Sequence, residues 1–72
     1  MKQVGDKAGI AYAQNLYGTL KSSLKDYTSA LLFYDSALQI RRELKLTVYE
    51  ASTLENIAYV YEARGDIQKS LA

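Results

Sequence analysis

The feature that most constrains this chain is a repeated plan. "AYAQNLYGTLKSSLKDYTSALLFYDSAL" and "ASTLENIAYVYEARGDIQKSLA" place the same residue classes at a fixed interval. Ala11 and Ala51, Asp26 and Asp66, and Leu31 and Leu71 each stand 40 positions apart. A period of roughly 20–50 residues is the mark of stacked supersecondary units, each of which leaves a face for its neighbour to cover. The chain carries no proline and only 4 glycines, so little in it interrupts helix. An all-α fold of antiparallel helix-turn-helix units follows, with residues 1–72 read as one segment. A first unit covers about 7–46 and a second about 47–72, the latter shortened in its second helix.

The local signals divide the chain into four helical stretches. From about Lys7 to Ser23, Ile10, Ala13, Tyr17, Leu20 and Leu24 recur three or four apart and are expected to form the buried face. Asp6 is placed to cap this helix, and Lys25 to take the left-handed position at its end. A second helix is expected from about Tyr27 to Leu44, capped by Asp26. Its stripe is Tyr27, Ala30, Leu31, Tyr34, Ala37, Leu38 and Leu44, widened by Leu32 and Phe33. Arg41, Arg42 and Lys45 read as a solvated cationic helix end. The third helix opens on a T-x-x-E pattern, Thr47 to Glu50, expected to act as a capping box. Val48, Ala51, Leu54, Ile57, Ala58 and Tyr61 are its expected core, and Gly65 its terminator. Asp66 would cap a fourth helix that runs only to Ala72, so both ends read as cut from a longer array or as needing a second copy.

These residues resemble the tetratricopeptide repeat. In the second unit Leu54, Ile57-Ala58, Tyr61, Gly65, Ile67 and Ser70 fall on the spacing of that family. In the first unit Tyr17-Gly18, Tyr27, Ala30, Tyr34 and Ala37 do so. "ALQIRREL" is similar to the second-helix ending of the long-period variety found in kinesin light chain-like and bacterial signalling proteins. The period near 40 exceeds the usual repeat of about 34. Gln14 and Lys21 depart from the family's apolar preference, and Lys25 replaces its usual glycine. The first helix admits a second alignment, in which Asn15-Leu16 pairs with Asn56-Ile57.

The resemblance implies a scaffold that binds a peptide or partner helix in a groove lined by the first helix of each unit. The positions carried over are Tyr12, Asn15, Thr19 and Ser22, then Ser52, Glu55, Tyr59 and Glu62. Each set is spaced i, i+3, i+7, i+10 and so forms one stripe of its helix. A solvated helix face would look the same, and Tyr12 and Tyr59 stand out from it by the area an exposed tyrosine offers. One subclass of the family grips a terminal carboxylate with paired Lys and Asn. Asn56 matches one such Asn, but the partner positions hold Asn15, Thr19 and Glu55, so the clamp is absent and Asn56 is expected to bond the backbone of a neighbouring helix. The alternative role is self-assembly, by dimerisation or helix exchange through the open ends, with Ile67 and Leu71 as the self-association edge.

Composition narrows the remaining classes. There is no Cys and no His, so the usual metal ligands are missing and no cofactor or metal is expected. Nine basic against 8 acidic residues give a net charge of +1, which supplies no field for nucleic acid and no polybasic membrane patch. Four of the seven tyrosines (Tyr17, Tyr27, Tyr34 and Tyr61) fall on the apolar stripes, away from any base-stacking role. Glu55 and Glu62, the nearest thing to a carboxylate pair, lie roughly 10 Å apart along one helix face and do not make an acid-base site. The expectation is a non-enzymatic, cytoplasmic chain whose partner is a protein or peptide, a homodimer, or the rest of a longer array.

Overall fold

The computed structural model describes residues 6–65. It is all-helical: α1 (Lys7–Ser23), α2 (Tyr27–Glu43) and α3 (Thr47–Arg64) follow one another with three-residue turns between them. Turns this short make α1 and α2, and then α2 and α3, antiparallel neighbours. The α1–α2 seam is the most extensive, α3 lies against α2, and α1 meets α3 over a narrow strip.

The turns are copies of one design. Lys25, Lys45 and Gly65 all take left-handed φ, at 64°, 58° and 87°, each 20 positions after the last. The amides of Lys25 and Asp26 bond the carbonyls of Ser22 and Lys21 at 2.9 Å. One turn later, Lys45 and Leu46 bond Arg42 and Arg41 at 3.1 and 2.9 Å. This is the Schellman arrangement, which satisfies orphan carbonyls at a helix end. Two of the three left-handed positions carry a Cβ, at a cost of about 1 kcal/mol each. The sequence expectation included Lys25 and Gly65 but missed Lys45. Helix starts at 7 and 47 and left-handed ends at 25 and 65 both keep the 40-residue register, which selects it over the alignment shifted by one.

The helix starts follow the same rhythm. Asp6 and Asp26 cap α1 and α2, accepting from the amides of Gly9 and Ser29 at 3.0 and 3.4 Å. The third start differs from expectation. The N-cap of α3 is Leu46, which has no side chain to offer, and Thr47 already lies inside the helix. The capping box therefore does not form: the Schellman turn at Lys45 fixes the start one residue early. Glu50 instead accepts from Arg42 Nε at 3.0 Å.

The core is built mainly from small residues. Ala11 and Gly18 of α1, Ala30, Tyr34, Ala37 and Leu38 of α2, and Thr53 and Val60 of α3 are buried. Small side chains let the α1 and α2 backbones approach, and the Tyr34 ring fills the space over Gly18. The expected stripe of α2 holds except at its edges, where Leu44 and Leu32 are exposed. Phe33 is half-buried, its ring 5.5 Å from that of Tyr17.

On α1 and α3 the expected cores are corrected. Ile10, Ala13, Tyr17, Leu20 and Leu24 are exposed, as are Val48, Ala51, Leu54 and Ala58. Only Ile57 and Tyr61 of the α3 set are half-buried, and the fully buried Val60 was not among them. The reason lies in the repeat. Thr53, Asn56, Ile57 and Val60 face inward on α3, and 40 positions earlier stand Ala13, Leu16, Tyr17 and Leu20, which face outward on α1. Conversely, Ala51, Leu54 and Ala58 are the outward counterparts of Ala11, Gln14 and Gly18 in the α1–α2 seam. Each helix thus has two packing faces, and Ile10, Leu16 and Leu20 of α1 belong to the one its own hairpin leaves exposed.

Candidate functional site

The narrow strip where α1 passes α3 holds a chain of polar contacts. Arg41 Nη1 donates to Thr53 Oγ1 at 2.6 Å and to the Tyr49 carbonyl at 3.2 Å. Thr53 Oγ1 donates in turn to Asn15 Oδ1 at 3.3 Å, and Asn56 Nδ2 donates to the same oxygen at 3.2 Å. These bonds tie side chains from all three helices into one network. Asn56 therefore bonds a side chain, and the expectation of a backbone partner is corrected.

At the lower end of the strip the first turns of α1 and α3 converge on the last turn of α2. They enclose a cleft of about 340 Å³ lined by Ala8, Gly9, Tyr12, Arg41, Leu46 and Tyr49. Its walls are apolar and aromatic, with the Arg41 guanidinium carbon 5.3 Å from the Tyr49 ring centroid. That spacing is in cation–π range. Arg41 is only 4% exposed, so it is not part of a solvated helix end as its sequence context implied. Arg42 does behave as expected, and it pairs with Glu50 on the surface.

The sequence-derived groove residues are distributed unevenly over this geometry. Tyr12 stands at the cleft, 58% exposed, and Asn15 accepts both bonds at the centre of the network. Thr19 Oγ1 donates to the Asn15 carbonyl at 3.2 Å and lies 2.8 Å from the Tyr34 hydroxyl, so it ties α1 to α2. Ser22 is half-buried. Ser52, Glu55, Tyr59 and Glu62 are exposed on α3, with Tyr59 the largest free surface among them at 62%. Ile67 and Leu71 lie outside the described residues. The structure thus brings Tyr12 and Asn15 together with four residues that sequence reasoning did not select: Arg41, Leu46, Tyr49 and Thr53. For Arg41 a signal was present. It follows Tyr34 and Leu38 at the helical interval of the buried α2 stripe.

The cleft thus sets two tyrosine faces and a confined cation beside half-buried amides. Among the described residues no group of three or more carboxylates could hold a metal ion, and no helix is long and apolar enough to cross a membrane. No family model, no curated protein and no solved structure matches this chain.

Proposed function

We propose that this chain is a segment of a tetratricopeptide-type solenoid, cytoplasmic on its composition, that acts as a protein-interaction scaffold. It holds an extended peptide or partner helix in the groove between α1 and α3. The observation that carries the reading is the three-helix network of Arg41, Thr53, Asn15 and Asn56, flanked by Tyr12 and Tyr59. A polar floor with exposed aromatic flanks is the build expected of a recognition groove, where a few rigid tyrosines carry most of the contact area.

A second reading is favoured by a separate observation. The outer stripe of α1 (Ala13, Leu16, Tyr17 and Leu20) is exposed, yet it is the repeat counterpart of the face α3 buries on α2. A second copy of the chain covering that stripe would make assembly part of the role.

One experiment separates the two. Peptides selected by display against the chain are titrated onto it, and onto Tyr12→Ala, Tyr59→Ala and Leu20→Glu. The groove reading expects at least about tenfold weaker binding for the tyrosine variants and little change for Leu20→Glu. Sedimentation equilibrium on the same proteins expects the reverse pattern for self-association. Selected peptides indifferent to Tyr12 and Tyr59 would sink the groove.

A further inference from the structure

We infer that residues 67–71 of a second copy of the chain cover the outer stripe of α1, so that copies join head to tail. The inference rests on the assembly reading and names the segment that does the covering. Its template is a contact already made inside one copy. Where α2 begins, Tyr27, Ala30 and Leu31 pack with Tyr34 against Ile57 and Val60 of α3. Forty positions before Ile57 and Val60 stand Tyr17 and Leu20 of α1. Forty positions after Tyr27, Ala30 and Leu31 stand Ile67, Ser70 and Leu71. Each pair keeps its class, large apolar for large apolar and small for small. Both halves of a contact that is buried once are therefore written a second time in the sequence.

The receiving half is open. Val60 is completely buried, whereas its counterpart Leu20 is about half exposed, as are Leu16 and Tyr17. With Ala13 these three line a shallow depression of about 290 Å³. The Tyr17 ring, 5.5 Å from that of Phe33, forms the side nearest α2. At 3.6 residues per turn, Ala13, Leu16 and Leu20 lie on the opposite side of α1 from the buried Ala11 and Gly18. That face can thus receive a second copy without displacing α2. It is also more apolar than its template. Thr53 and Asn56 need Arg41 and Asn15 for their polar atoms, while their counterparts Ala13 and Leu16 have none to satisfy. Covering the stripe takes apolar area out of water and orphans no polar side-chain atom of Ala13, Leu16 or Leu20. Lys21, the counterpart of Tyr61, is the charge in the receiving register, and its stem can lie along the contact with the ammonium in water. Tyr34 is the one cluster member with no counterpart among the 72 residues, so this contact is smaller than the α2–α3 one. Because the giving and receiving surfaces differ, the contact is heterologous and can repeat from copy to copy.

The test is sedimentation equilibrium of the 72-residue chain, of Leu20→Glu and of Leu71→Glu, with the two variants run alone and mixed in equal amounts. Leu20→Glu spoils the receiving face and keeps the giving one, and Leu71→Glu does the opposite. The average mass of the parent should climb with concentration past twice its 8.1 kDa. Each variant alone should associate at least about tenfold more weakly, since a carboxylate would be buried against apolar side chains. The mixture should recover one contact and stop at a dimer, because only one giving and one receiving face remain intact. Recovery is its own folding control, as an unfolded variant could not supply its half. If Leu71→Glu associates like the parent while Leu20→Glu does not, the inference is overturned and the assembly reading stands. A mixture that associates no better than its components overturns it as well. A parent that stays at 8.1 kDa at every concentration, or association untouched by either change, overturns both.

Discussion

Replacing Gly18 by alanine tests how α1 is seated. Viewed from α1 alone, the change is favourable, because alanine gains about 1 kcal/mol over glycine inside a helix. The packing opposes it. A Cβ at Gly18 would stand 2.7 Å from both Cδ1 and Cε1 of Tyr34 and 3.0 Å from Cζ. Carbon contacts are comfortable at about 3.5 Å or more, so the ring must withdraw by roughly 0.8 Å. It has little room to do so. Tyr34 is buried against Ala30 and Val60, and its hydroxyl is held 2.8 Å from Thr19 Oγ1. Overpacking of this kind costs about 1–3 kcal/mol, and straining the hydroxyl contact adds to it. The net expectation is a loss of about 1–2 kcal/mol, which lowers the melting midpoint of so small a chain by roughly 4–16 °C. Thermal melts and urea titrations followed at 222 nm measure it. In a Tyr34→Leu background, where most of the obstructing ring is gone, the same glycine change should turn stabilising. A Gly18→Ala single variant that melts above its parent would refute the reasoning, since α1 would then not rest on the Tyr34 ring.

Two further outcomes follow from strained or unmatched groups. Lys25→Gly and Lys45→Gly should each stabilise by about 0.5–1 kcal/mol by relieving a Cβ at positive φ, and urea midpoints that stay put or fall would contradict the turn geometry. Gln14 carries a buried side-chain oxygen with no hydrogen-bond partner, so Gln14→Leu should raise stability by about 1 kcal/mol. A loss on denaturation would mean the amide is satisfied in solution.

How much of this was legible in the sequence depended on what kind of signal each feature left. Helix ends were legible where one residue decides them, as at Asp6, Asp26, Lys25 and Gly65. The start of α3 was not, because T-x-x-E is a good cap pattern that a neighbouring turn overrules. The stripe of α2 was legible because that helix packs on two sides and its apolar face is wide. On α1 apolar spacing marked the wrong face, and on α3 it was right only at Ile57 and Tyr61. The inner seam of α1 is made of Ala11, Asn15 and Gly18, residues that hydropathy hardly registers, while its larger apolar side chains are exposed; α3 buries Thr53 beside Val60 and the half-buried Ile57. The site was half legible for the same reason. Tyr12 and Asn15 could be read from their stripe, whereas Arg41 looked like surface charge until its place on the buried face of α2 was seen.

The two proposed roles are physically coupled. Of the large apolar residues, few are buried within the three helices, while Ile10, Leu16, Tyr17 and Leu20 stand about half exposed along α1. The seam that holds α1 to α2 is made of small side chains, which bring little apolar area out of water for each residue ordered. Covering the outer stripe of α1 would therefore add apolar burial that its own hairpin does not supply. But α1 also supplies Ala8, Gly9 and Tyr12 to the cleft and Asn15 to the network. Whatever orders α1 from outside preforms half the groove, and whatever binds the groove orders α1 for its outer neighbour. The linkage runs equally in both directions. On these readings peptide affinity rises with protein concentration, and a peptide that fills the cleft promotes assembly through a face it never touches.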